Sequence, residues 1–191
     1  MILRSHNEFS LEEFLKLPPG EGDNTYELVD GQIITKISPK KYHSRLTRTL
    51  LYLIEQSCEG KGEVCIELAI TLTRQKRDWA PTPDLLYIKH ERLPADWDED
   101  GACSVPPDLV IEIISPGQTF GQMTAKARDY LNAGVLRVMV VDSKARSITV
   151  FYPDAAPQTY MGEEIFVDSL FPGLEFTALK VFQMAKIPVD S

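Results

Sequence analysis

Asp108-Leu109-Val110-Ile111-Glu112-Ile113-Ile114 is the stretch on which the fold turns. Its leucine, valine and isoleucine residues suit the interior of a β-strand; an ionised glutamate does not. A buried, unpaired carboxylate costs several kcal/mol, so Glu112 needs a metal, a cation or a proton. In an extended strand Leu109, Ile111 and Ile113 share one face and Asp108, Val110, Glu112 and Ile114 the other. Asp108 is then roughly 13 Å from Glu112 along the strand, too far for both to ligate one ion at about 2.0–2.1 Å. The partner carboxylate must come from a neighbouring strand. Asp84, which opens the apolar run Pro83-Asp84-Leu85-Leu86-Tyr87-Ile88, is the best placed.

Past the bend Ser115-Pro116-Gly117, helical spacing runs from Phe120 to Ala133, with Gly134 at C′. Met123, Ala127, Tyr130 and Leu131 make the apolar face of that helix, and Lys126 stands at its edge, from where an ammonium can reach a carboxylate pair. Two acids and a lysine in this order suit phosphodiester hydrolysis. Carboxylates hold a metal that lowers the pKa of a water, and a lysine stabilises phosphate charge or orients that water.

Outward from this centre, Ser10-Leu11-Glu12-Glu13 forms a capping box, with Phe9 and Phe14 at the positions of a hydrophobic staple. The short helix stops at Pro18-Pro19-Gly20. Tyr26–Val29, Asp30-Gly31 and Gln32–Thr35 read as a hairpin with a type I′ turn. A helix follows from Lys41 to about Gln56, then one alternating strand in which Val64, Ile66, Leu68, Ile70 and Leu72 share a face. The long polar loop containing Pro94, Asp96, Trp97 and Gly101 separates the strands near 84–88 and 109–114. Leu136–Val141, Ser147–Tyr152 and Ile165–Val167 are further strands, and a helix follows Phe176. The order implies a mixed α/β or α+β sandwich.

At 191 residues and 43% hydrophobic content the chain is expected to form a single domain, residues 1–191. No apolar run reaches the ~20 residues of a membrane helix, and the polar N-terminus does not read as a signal peptide. Cys58, Cys65 and Cys103 show no CxxC or His/Cys clustering, as expected for a cytoplasmic protein with reduced thiols. Twenty basic against 28 acidic residues give a net charge of −8, which weighs against nucleic-acid binding except at a local basic patch. Arg74, Lys76 and Arg77, beside Trp79 and just before Asp84, are such a patch and the candidate DNA contacts.

The ordered set Tyr26-Glu27-Leu28-Val29-Asp30-Gly31, Ser38-Pro39 with His43, Pro83-Asp84, Pro107–Pro116, Lys126 with Tyr130, and Gly134 before a strand ending Val141-Asp142 resembles the Uma-type restriction endonuclease family. That family lies within the PD-(D/E)XK nuclease superfamily, and the resemblance runs from Tyr26 to about Phe182. It implies a restriction-endonuclease-like α/β (α+β) core: a mixed central sheet flanked by helices, with an N-terminal helix and β-hairpin. It also implies Asp84 and Glu112 as ligands of Mg²⁺ or Mn²⁺, Lys126 as the catalytic lysine, and DNA as substrate, with no small-molecule cofactor. A homodimer is expected, because cutting both strands needs two sites. Glu27, Asp108 and His43 are accessory candidates.

The chain departs from the pattern. The superfamily lysine two residues after the acid is Ile114 here, so Lys126 would replace it from the following helix. Gly121-Gln122 and Arg137-Val138-Met139 stand where the family has an Asp and a Glu-Tyr-Trp segment. The residues alone also allow blander roles: Asp84 capping a strand after Pro83, Glu112 and Lys126 as a buried ion pair, His43 as a capping or packing residue. The alternative function is a catalytically silent nuclease-fold module associated with DNA or with another protein. A two-carboxylate glycosidase fits the acids but not the lysine.

Overall fold

The computed structural model describes residues 8–18, 25–36, 39–95 and 97–188. Pro19, Gly20, Ser38 and Asp96 of the motifs above, and the first seven residues, lie outside that set. The chain order is α1 (Leu11–Leu15), β1 (Tyr26–Val29), β2 (Gln32–Thr35), α2 (Lys41–Ser57), β3 (Gly62–Ile66), β4 (Leu72–Arg74), β5 (Arg77–Ala80) and β6 (Leu85–Lys89). A 3₁₀ turn at His90–Arg92 follows. Then come β7 (Leu109–Ile113), α3 (Phe120–Asn132), β8 (Arg137–Asp142), β9 (Ser147–Phe151), β10 (Gln158–Met161), β11 (Ile165–Phe166), β12 (Phe176–Thr177) and α4 (Ala178–Met184).

The central sheet has six strands in the order β10-β9-β8-β7-β6-β3, mixed because β7 and β8 alone run parallel. A parallel pair needs a crossover, and α3 supplies it. β7 is central and buried on both faces, at 0–5% exposure over its length. Leu109, Ile111 and Ile113 pack with α2 and α4, through Leu46, Leu50, Ile54, Val181 and Phe182. Val110 faces the other way, onto Met123, Ala127 and Tyr130 of α3. The face assignment made from alternation holds. Each fully buried aliphatic side chain contributes about 1.5–3 kcal/mol, so a polar residue in this strand stands against a strong apolar background.

A second, antiparallel sheet, β2-β1-β5-β4, carries the N-terminal hairpin. Asp30 and Gly31 take φ of 52° and 78°, the type I′ turn that matches strand twist. The capping box at Ser10 and Glu13 forms as read, and α1 buries Phe14 against Leu28 and Ala80.

One expectation fails. Residues 64–72 are not one strand: β3 ends at Ile66, Glu67 turns the backbone at φ 50°, and the chain crosses to the second sheet as β4. β3 is an edge strand that pairs only with β6, and Ile66 at its end is half exposed. The alternation continued through a corner that local pattern does not register. The hairpin of β4 and β5 was missed for the same reason.

Candidate active site

The two acids meet through sheet register. β6 and β7 are antiparallel, with Leu85 opposite Ile111, so one step further Asp84 stands beside Glu112. β6 begins only at Leu85, and the Asp84 carboxylate serves in place of a ladder acceptor, receiving the Ile113 N–H at 2.7 Å on Oδ2. The same oxygen lies 3.0 Å from Nε2 of His43, a buried residue in the first turn of α2. Oδ1 accepts from the Lys36 ammonium at 3.0 Å; Lys36, just beyond β2, also donates to the Thr82 carbonyl at 2.9 Å and lies 3.6 Å from Glu67.

Glu112, 5% exposed, is held from α3. Its Oε1 accepts from the Lys126 ammonium and from the Tyr130 hydroxyl, each at 2.8 Å. Lys126 also donates to Glu27 Oε1 at 2.8 Å, and Glu27, on β1, accepts the Thr82 N–H at 3.1 Å. α3 is placed to do this by a capping box in which Thr119 and Gln122 bond reciprocally. Gln122, a departure from the family pattern, therefore has a structural task. Tyr130 is fixed in turn by Trp79, ring centroids 4.8 Å apart.

Lys36, His43, Asp84, Glu112, Lys126 and Glu27 line a cleft of about 170 Å³. Glu27, Glu67, Asp84 and Glu112 face Lys36 and Lys126 there: four carboxyl groups against two ammonium groups, with the His43 imidazole beside them. Burial would push the Asp84 carboxyl up, but the His43 hydrogen bond, the Lys36 charge and the Ile113 N–H hold it at about 2. Burial drives the Glu112 carboxyl up, Lys126 pulls against it, and Asp84 and Glu27 add to the rise. Lys126 stays charged: burial works against it, and Glu112 and Glu27 more than compensate.

The Asp84 shift carries a stability prediction. A carboxyl lowered from its ordinary 3.8 to about 2 contributes stability above the unfolded-state value. That contribution, on the order of 2 kcal/mol, disappears as pH falls from about 4 to about 2. In urea melts, the stability gap between wild type and Asp84→Asn should narrow by about that much over this interval. A gap independent of pH would mean that Asp84 carries no such linkage.

The structure brings Asp84, Glu112, Lys126, Glu27 and His43 to one cleft and leaves the other candidates outside it. Asp108 sits at the opposite end of β7, where it accepts the Lys89 N–H and pairs with Arg92. Arg74 is spent on Asp30 and Asp129, and Arg77 on Glu8. Trp79, read as part of a surface patch with them, is 2% exposed and belongs to the core. Lys76 lies in the β4–β5 turn, away from the acidic cleft. Lys36, Glu67 and the Tyr130 hydroxyl were missed. Lys36 meets Asp84 across 48 residues, and no local pattern announces such a contact.

Among the described residues, no three His, Cys, Asp or Glu side chains already converge as a metal cage. The donors available are nonetheless carboxylate oxygens and one imidazole, with carboxyl groups outnumbering ammonium groups, a set that fits Mg²⁺ or Mn²⁺.

A family model with the description "Putative restriction endonuclease" (Uma2) matches residues 11–181. A crystal structure described as "a putative nuclease belonging to DUF820", from Anabaena variabilis ATCC 29413, superposes with a TM-score of 0.79 at 24% identity. The match covers 93% of this chain and 99% of that one. At this identity the likeness establishes the shared fold. No curated protein matches the chain.

Proposed function

Because this chain belongs to the Uma2 family, whose description is "Putative restriction endonuclease", we propose that it is a metal-dependent endonuclease that hydrolyses DNA phosphodiester bonds. The nuclease-like domain would span residues 1–191. The observation that carries this reading is the register-neighbour pair Asp84 and Glu112, with Lys126 2.8 Å from both Glu112 and Glu27. The description of the Anabaena variabilis protein as "a putative nuclease" is consistent with it.

Asp84 and Glu112 would hold Mg²⁺ or Mn²⁺, which when bound supplies an activated water and neutralises phosphate charge. The remaining groups prepare those two carboxylates. The Ile113 N–H and His43 fix the Asp84 carboxylate, and the Tyr130 hydroxyl fixes that of Glu112. Lys126 is shared between two carboxylates, so Glu27 retains it when Glu112 turns to other work. Its charge then faces the phosphate, in a buried setting where an oriented cation acts strongly. Cutting both strands of a duplex calls for two such sites, hence a homodimer. No helix among the described residues is long and apolar enough to cross a membrane.

One observation favours a second reading, a catalytically silent module. Both carboxylates are already neutralised, Asp84 by Lys36 and Glu112 by Lys126. Calorimetry with Mn²⁺ separates the two. An endonuclease site binds the ion at millimolar concentration and loses it in Asp84→Asn; a silent module binds none.

Lys36 gives a sharper version of the same test. Lys36 is the ammonium paired with Asp84 where a metal would be held, so Lys36→Met should destabilise the metal-free protein by about 3 kcal/mol by taking that cation from a buried carboxylate. Mn²⁺ should then raise its melting temperature more than that of wild type, since a ligand of the folded state alone stabilises it in proportion to affinity. Equal Mn²⁺ shifts in the two proteins would remove Lys36 from the site.

A further inference from the structure

A second cleft, of about 560 Å³, opens beside the acidic one, and His43 lines both. Its walls come from the start of α2 (Lys40, Lys41, Tyr42) and from the β8–β9 turn (Lys144, Arg146). Among the described residues, no carboxylate lines it. Among the described residues, Lys40, Lys41, Lys144 and Arg146 form no ion pair, whereas Arg74 and Arg77 are fully matched by acids. Arg146 is oriented by its Nε donating to the Pro188 carbonyl, and the three lysines are exposed. α2 adds to the field, since it begins at Lys40 without a side-chain cap and has no acid in its first turn, leaving its positive end open. On a chain of net charge −8 this is a concentrated basic surface. It lies where the parallel strands β7 and β8 end, the side of an α/β sheet on which ligand crevices form.

We propose that this cleft carries a nucleic-acid strand into the acidic site, Lys40, Lys41, Lys144 and Arg146 contacting successive phosphates and Tyr42 stacking on a base. The inference deepens the endonuclease reading and rests on it for the direction of the strand. Cations beside an aromatic ring are the recurring surface for single strands, because every base offers a π face and every linkage a charge. Tyr42 is 38% exposed, enough to offer a ring face. An acidic polypeptide would use the charges but not the ring.

The test is fluorescence anisotropy of a labelled oligo-dT strand with the full chain, EDTA present so that no cleavage occurs, across a salt series. Four contacts on a single strand give a slope of log K against log salt of about −3, and Lys40→Ala/Lys41→Ala/Lys144→Ala should bring it to about −1. Tyr42→Ala should weaken binding about tenfold with the slope unchanged. Lys76→Ala/Arg77→Ala should change neither, and the triple variant should melt with wild type because its lysines are exposed. A wild type that fails to bind, or a triple variant with the wild-type slope, overturns the proposal. So does polyglutamate competing as well as oligo-dT, which would mark a surface for acidic polypeptides. Wild type that binds as expected yet never cleaves with Mn²⁺ would instead sink the endonuclease reading and leave the cleft standing.

Discussion

Lys126→Met is expected to lower the unfolding free energy by about 3–5 kcal/mol, because removing one partner of a buried ion pair leaves the other uncompensated. Here two carboxylates lose their cation: Glu112 and Glu27 are 5% and 8% exposed, and both rely on the same ammonium. Against a typical total of 5–15 kcal/mol, such a loss should be plain in a urea melt. The pH dependence distinguishes this cause from lost packing. With Lys126 gone, the Glu112 carboxyl should rise further, since burial, Asp84 and Glu27 all push it up and only the weaker pull of Lys36 remains. A carboxyl with a raised value is easier to keep folded when protonated, so the variant should recover stability as pH falls toward the ordinary carboxylate range. Equal destabilisation at every pH would assign the loss to methylene packing. Mn²⁺ should also rescue the variant in part, because a divalent ion can replace the missing charge.

Glu112→Gln is expected to slow DNA cleavage by about 10³-fold or more while leaving the fold in place, a loss on the scale of removing one preorganised charge-stabilising group. The amide keeps the shape, and its oxygen can still accept from Tyr130, the bond now made at 2.8 Å. What disappears is the anionic ligand. The effect should therefore fall on the single-turnover rate at saturating DNA, with oligo-dT affinity in EDTA unchanged. A variant that cleaves at the wild-type rate would show that the working carboxylate is elsewhere.

Much of this arrangement was legible in the chain because it depends on strand periodicity. The two faces of β7 follow from alternation, and with them the placing of Glu112 toward α3 and of Asp108 too far away to join it. The hairpin follows from Asp30-Gly31, whose turn chemistry is local. What failed was non-local. Residues 64–72 alternate across a corner at Glu67, where the sequence keeps its pattern while the backbone changes sheet. The basic residues beside Trp79 look like a surface patch in one dimension. In the fold, acids from α3 and from the N-terminal hairpin reach Arg74, and Glu8 reaches Arg77. Lys36 joins the cleft, and the Tyr130 hydroxyl reaches Glu112 from behind it, through contacts spanning 48 and 18 residues, set by packing that no short window contains. The basic cleft of Lys40, Lys41, Lys144 and Arg146 was invisible for the same reason, since α2 and the β8–β9 turn meet only in the folded chain.

In the proposed function Asp84, Glu112 and Lys126 form a metal-dependent site for cutting DNA. The most direct test is conversion of supercoiled plasmid to nicked and linear forms by wild type with Mg²⁺ or Mn²⁺, beside the same reaction in EDTA and with Glu112→Gln. Conversion is expected with either ion, with none in EDTA and none above background from the variant. An intact plasmid with wild type under both ions, or cleavage that survives Glu112→Gln, would contradict it.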